Sequence, residues 1–119
     1  MNKQVAEHEL LWMGDDDWTG LWEAVWAMQS LWPELEGSPA LEAARQTLKD
    51  LLLRDMVYIS SFNSESNTEC KLLREEALEL LTTDDAWKVP DSEKNEFRFA
   101  TTDKGSAEMH RLEAAGVQP

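Results

Sequence analysis

Two short runs of β-forming residues stand in a chain whose other apolar residues recur at helical spacing. Met56-Val57-Tyr58-Ile59 leads on towards Phe62, and Phe97-Arg98-Phe99-Ala100-Thr101 alternates between apolar and polar side chains. Alternation with period two is the pattern of a strand half buried against a core. Strands this short and this few need helices packed on one face to persist in water. The chain therefore reads as α+β, mostly helical, with a small antiparallel sheet of two or three strands. At 119 residues, 42% of them apolar, it forms one domain with a substantial core.

The helical segments follow from spacing and from their stop signals. Lys3 to Met13 carries Val5, Ala6, Leu10, Leu11 and Trp12, and Gly14 is expected to end that helix. Asp15, Asp16 and Asp17 then read as the acidic start of a second helix, where unsatisfied backbone N–H groups favour negative charge. It runs from Trp18 to Leu31 and stops ahead of Pro33. Ser38 and Pro39 open a third helix, Ser38 as its cap, with Leu41, Ala44, Leu48, Leu51 and Leu52 along it to Arg54. After the first strand, residues 63–69 read as a polar, mobile loop. Residues 72–81 read as a helix with Leu73, Ala77, Leu80 and Leu81 on one face. From Thr82 to Glu96 the chain is irregular, with Trp87 expected to plug the structure. Thr102 or Asp103 caps a last helix that follows the second strand to Ala115.

Two segments resemble winged-helix domains of the MarR and PadR regulator type. Leu48-Lys49-Asp50-Leu51-Leu52-Leu53-Arg54-Asp55-Met56-Val57-Tyr58-Ile59 is similar to the end of a recognition helix entering the first wing strand. Phe97-Arg98-Phe99-Ala100-Thr101-Thr102-Asp103-Lys104-Gly105 is similar to the second wing strand running into the following helix. The resemblance covers residues 38–62 and 97–112 and implies a single winged-helix-like domain over 1–119, with 70–96 inserted in the wing. Two departures stand out: Asp55 replaces the usual glycine, and the wing is interrupted.

Charge narrows the partners. There are 24 acidic against 11 basic residues, a formal net charge of -13. Residues 1–44 hold nine acidic residues and one basic one, Lys3. Nucleic-acid affinity comes largely from Lys and Arg displacing counterions, so such a surface repels a phosphate backbone and suits a basic protein partner. A lone cysteine, Cys70, permits no internal disulfide and points to a reducing, cytoplasmic setting. The polar, acidic N-terminus does not read as a secretory signal, and no apolar run reaches the roughly 18 residues of a membrane span.

The second helix is the most unusual segment. At about 100° per residue, Trp18, Leu21, Trp22, Val25, Trp26, Met28 and Trp32 fill an apolar arc of roughly 160°, with Gln29 near its middle and Ala24 and Ala27 opposite. Glu23 is its only charged residue. Leu21, Val25 and Met28 are expected in the core, leaving Trp22 with Trp26 as an edge able to anchor a partner, since tryptophan is enriched at binding hot spots. The same edge also suits pairing of two copies of the chain.

Chemical motifs fail at specific positions. A calcium loop counted from Asp15 places Trp26 at the twelfth position, where a bidentate Glu is required. His8-Glu9-Leu10-Leu11-Trp12 begins like a zinc-protease helix, but Trp12 stands where the second His belongs. No P-loop, dinucleotide fingerprint or nucleophile elbow is present. No catalytic residue, metal or cofactor is expected, and the chain reads as a binding protein, not an enzyme. By analogy with small acidic immunity proteins, the expectation is an antitoxin that occludes the active site of a basic bacterial toxin such as a nuclease. Asp15, Asp16, Asp17, Glu23, Glu34 and Glu36 would steer and pair with the toxin, and Trp22 and Trp26 would supply buried area. The alternative is a winged-helix DNA-binding regulator using Arg45, Gln46 and Lys49 on the third helix and Lys94 and Arg98 on the wing.

Overall fold

The two β-rich runs pair with each other, and the rest of the fold is arranged around them. The computed structural model describes residues 2–89 and 96–117. In chain order these form α1 (Lys3–Asp16), β1 (Thr19–Gly20), α2 (Leu21–Leu31), α3 (Ser38–Leu53), β2 (Val57–Asn63), β3 (Thr68–Lys71), α4 (Arg74–Leu80), a 3-10 turn (Asp84–Trp87), β4 (Glu96–Thr101) and α5 (Asp103–Ala114). The α+β class is as expected, but the sheet is larger: among the described residues it has four antiparallel strands in the order β1-β4-β2-β3.

Both extra strands arise where the sequence suggested other structure. Thr19 and Gly20 pair with Phe99 and Arg98, which pulls the start of the expected second helix into an extended strand. Residues 63–69, expected as a loop, form the end of β2, a tight turn and the start of β3. The Asn63 side-chain oxygen accepts from the backbone N–H of Glu65 at 3.0 Å and of Ser66 at 3.1 Å, and Asn67 takes a positive φ of 52°. Asn is one of the few residues that holds that conformation cheaply.

Gly14 does not end α1. The helix runs on to Asp16, and Gly14 is instead the point where α1 meets β4: a Cβ there would lie 2.8 Å from Thr101 Oγ1 and 3.1 Å from the Phe99 ring. Thr101 Oγ1 also donates to the Leu11 carbonyl at 2.7 Å, tying the same helix to the same strand. Asp15 and Asp16 therefore close α1 rather than opening α2, and the helix dipole disfavours the exposed Asp15 carboxylate there. Thr19 Oγ1 donates to the Met13 carbonyl at 2.9 Å, satisfying a free acceptor of α1's last turn. The third helix likewise has Gly37, not Ser38, at its N-cap, with Pro39 in the first turn.

The core lies on one face of the sheet. Val57, Ile59 and Phe99 point into it and cluster with Leu10 and Leu11 of α1, Leu48 and Leu51 of α3, and Met109 and Leu112 of α5. Trp87 plugs the structure as expected: it is 5% exposed and donates its indole N–H to the Leu81 carbonyl at 3.1 Å. Thr102 caps α5, its hydroxyl accepting from Gly105 N–H at 3.1 Å.

A polar clasp joins α1, α3 and α5. Arg54 Nη2 lies 2.6 Å from Glu7 Oε1 and 2.8 Å from Asp50 Oδ2, and Arg54 Nη1 faces Glu108 at 3.9 Å. Burial pushes the Glu7 carboxyl above its ordinary range, with Arg54 opposing. Burial also works on Asp50, but Arg54, Glu7 and Lys3 outweigh it and hold that carboxyl low. Glu108 is held low by its hydrogen bond from Arg111.

Two outcomes follow. Gly14→Ala, which helix propensity alone would favour by about 1 kcal/mol, lowers the unfolding free energy by about 1–3 kcal/mol in urea titrations because the added methyl meets β4. Arg54→Met destabilises at pH 7 by about 2–4 kcal/mol, because it leaves the Glu7 carboxylate buried without its cation. That loss shrinks as pH falls into the acid range, because burial raises the Glu7 carboxyl above its ordinary range and Arg54 no longer opposes it, so the proton is taken up there. The added change Glu7→Gln recovers most of the loss at pH 7.

Candidate binding surface

The face of the sheet that turns away from the core is built by the same period-two rule. The registers Ser60↔Arg98 and Phe62↔Glu96 between β2 and β4, and Ser60↔Lys71 and Phe62↔Glu69 between β2 and β3, place these side chains with Tyr58 on one face. Ser60 is buried, whereas Tyr58, Phe62, Glu69, Glu96 and Arg98 are half-buried and Lys71 is exposed. Arg98 holds the centre. Its guanidinium lies 3.9 Å over the Phe62 ring, with Nη2 3.0 Å from Glu96 Oε2 and Nη1 3.5 Å from Glu69 Oε1. The Ser60 hydroxyl donates to the other Glu69 oxygen at 2.8 Å. Lys71 Nζ sits 4.6 Å over the Tyr58 ring, and Trp18 meets that ring edge-on at 5.3 Å.

Helix α2 extends this face. Gly20 brings the strand close under Trp22: a Cβ at Gly20 would collide with the indole Nε1 and lie 2.9 Å from Glu96 Oε1. Trp22 donates its indole N–H to that Glu96 oxygen at 3.4 Å. Trp26, one turn on, packs edge-to-face on Trp22 at 4.7 Å and is 57% exposed. A continuous band thus runs Trp26, Trp22, Glu96, Arg98, Phe62. Leu21 and Met28 are buried as expected, but Val25 is only half-buried and Ala24, expected opposite the apolar arc, is fully buried.

The acidic residues named from sequence do not converge. Glu23 accepts from Gly20 N–H at 2.8 Å and serves as the N-terminal cap partner of α2. Asp15 and Asp17 are exposed near Trp18, and Asp16 ends α1. Glu34 and Glu36 are exposed beyond the other end of α2, an 11-residue helix about 16 Å long. The basic residues of the DNA alternative are also dispersed. Arg45, Gln46 and Lys49 line a cleft of about 480 Å³ between α3 and α4, with Leu53, Leu78 and Leu81. Arg45 is committed there, donating to the Leu81 carbonyl at 2.8 Å, Glu42 at 2.9 Å and Asp84 at 2.7 Å, and Gln46 donates to Glu42 at 3.2 Å. Arg98 belongs to the sheet face, and Lys94 lies outside the described residues.

Sequence reasoning missed Trp18, Tyr58, Phe62, Glu69 and Glu96 as members of one surface. The period-two geometry of β2 carried part of the signal, since Tyr58 and Phe62 fall on the face opposite Val57 and Ile59. Among the described residues no group of three or more His, Cys, Asp or Glu is placed to hold a metal ion, and no helix is long and apolar enough to cross a membrane. Comparison with known proteins gives no match: no protein-family model, curated protein or solved structure is significantly similar to the chain.

The placement of the tryptophans makes a contrast in stability. Trp26→Ala lowers the unfolding free energy by less than about 1 kcal/mol, as an exposed side chain should. Trp87→Ala lowers it by about 3–5 kcal/mol through the cavity left in the core, both read from denaturant midpoints.

Proposed function

We propose that this chain is an acidic protein-binding module that acts in the cytoplasm on a basic protein, as an immunity or antitoxin protein covering the active site or substrate groove of a basic toxin such as a nuclease. The observation that carries the reading is the Trp22–Trp26 pair, with Trp22 half-buried and Trp26 exposed, in a chain of net charge -13. Aromatic side chains at the centre of an interface supply buried area, and a surrounding charge excess supplies encounter rate. Asp15, Asp16, Asp17, Glu34 and Glu36 serve as steering carboxylates. Glu23 positions the helix that bears the tryptophans, as its bond to Gly20 supports. The antiparallel pairing of β2 with β4, the two segments that resemble wing strands, supports a winged-helix scaffold in this role.

Recognition of duplex DNA by that scaffold is less well supported. Arg45 and Arg98 are each bridged to two carboxylates, and α4 flanks α3 along the cleft that holds Arg45, Gln46 and Lys49. A guanidinium satisfied by carboxylates has few donors left for phosphates or base edges. The exposed Cys70 thiol suits a reducing compartment.

The test is to retrieve partners with the tagged chain from lysate of the source cell at low and high salt, and to express the retrieved protein alone and together with this chain. One basic protein is expected, toxic alone and neutralised by co-expression. Trp22→Ala weakens that complex by about 2 kcal/mol through faster dissociation. Reversing Asp15 and Asp17 slows association about tenfold and flattens its salt dependence. Retrieval of duplex DNA without a protein overturns the reading.

A further inference from the structure

We infer that the partner's contact runs from the Trp22–Trp26 pair across the open sheet face to Tyr58 and Phe62, and that an extended arginine- and lysine-bearing segment of a basic protein seats there. The inference rests on the proposed binding of a basic protein and adds the face and the chemistry of what occupies it. It departs from a contact running along α2 to Glu34 and Glu36.

Three observations carry it. First, the face binds cations already, within the chain: Arg98 stacks over Phe62 at 3.9 Å and Lys71 over Tyr58 at 4.6 Å. Aromatic faces attract guanidinium and ammonium groups through the ring quadrupole, most strongly for tryptophan. Second, the carboxylates among those rings are held in place before any partner arrives. Glu69 is fixed by the buried Ser60 hydroxyl and Glu96 by the Trp22 indole, so neither loses much freedom on receiving a further cation. Third, the strongest cation-binding ring at the edge of the face is open, for Trp26 is 57% exposed while its partner ring Trp22 is braced against Gly20 and Glu96.

Charge complementarity decides what the occupant is. The net charge of -13 draws a cationic chain and repels a phosphate backbone. Single-stranded nucleic acid also stacks on aromatic platforms, but it needs free cations tracking its phosphates. Arg98, at the centre of this face, is already spent on Glu69 and Glu96. A partner's arginine, by contrast, finds ring faces at Trp26 and Trp18 and the same carboxylates from outside.

The experiment uses the full chain with isotope-labelled side chains, titrated at low salt with a short peptide in which glycine alternates with arginine and lysine. Side-chain N–H signals of the tryptophans and of Arg98 are followed by NMR. Saturable movement of the Trp18, Trp22, Trp26 and Arg98 signals, with buried Trp87 unmoved, is the expected result. Trp26→Ala should weaken the peptide about fivefold to tenfold and Trp26→Phe should restore part of it, while Glu34→Gln with Glu36→Gln changes it less than about twofold. An unmoved Trp87 signal in each variant shows that the fold is kept. Movement confined to backbone amides at 15–17 and 34–36, with the indoles silent, overturns the face and leaves the basic-partner reading intact. Failure of the peptide to bind saturably overturns both. An oligouridylate that moves the same indoles where the peptide does not assigns the face to RNA and overturns the inference.

Discussion

The register of β4 against β2 is the constraint on which the other features depend. Ile59 stands opposite Phe99 and Ser60 opposite Arg98, so one face of this pair is dry and the other carries a guanidinium. Because side chains alternate with period two, a slip of a single residue would exchange the faces, burying Arg98 and exposing Phe99. β4 is bonded on both sides, to β1 and to β2, which fixes it more firmly than a strand at the edge of the sheet. Its core face meets α1 at Gly14, and its outer face holds Arg98 between Glu69 and Glu96. The core and the candidate binding surface are therefore two consequences of one pairing.

Helix α2 shows why the surface exists. Its fully buried residues are Leu21, Ala24 and Met28, a stripe whose centre lies about 90° from the centre of the apolar arc read from the sequence. The helix is rotated so that a small residue, Ala24, faces the core and the large indoles overhang its edge. Tight packing beneath α2 favours that choice, since Ala24 admits close approach where an indole would not. The apolar surplus is left to Trp22 and Trp26, and β1, by delivering Gly20 beneath Trp22, turns an overhang into a braced platform.

Much of the fold was legible in the sequence. Period and stop signals located the helices and the two principal strands, because amphipathic spacing is a direct record of burial. The errors share one origin: a short-range signal was overridden by a long-range contact. Gly14 looked like a helix terminator, but its missing side chain serves a contact with Phe99 and Thr101, which are distant in sequence. The aspartates at 15–17 looked like a helix start, but Thr19 and Gly20 were claimed by β4. At the surface, the tryptophan pair could be read from one helix alone. Its continuation over Phe62 and Tyr58 could not, since it needs the pairing of β2 with both β3 and β4, and a two-residue strand such as β1 leaves no periodicity to detect.

The electrostatics extend the same logic from fold to function. The arginines at 45, 54, 74 and 98 pair with carboxylates of other elements and act as ties between them, while Arg111 pairs with Glu108 within α5. Lysines such as those at 3, 71 and 88 remain exposed, but exposed carboxylates outnumber the exposed lysines. With 24 acidic against 11 basic residues the net field is negative, which speeds the approach of a basic molecule but holds it weakly once salt screens the field. Residence has to come from groups that exclude water, and the braced indoles beside Arg98 are placed to do that. A long-range acidic field for encounter and a local aromatic face for retention are separable properties. In the proposed binding mode they reside on different residues, the first spread over helix ends and turns, the second gathered where α2 meets the sheet.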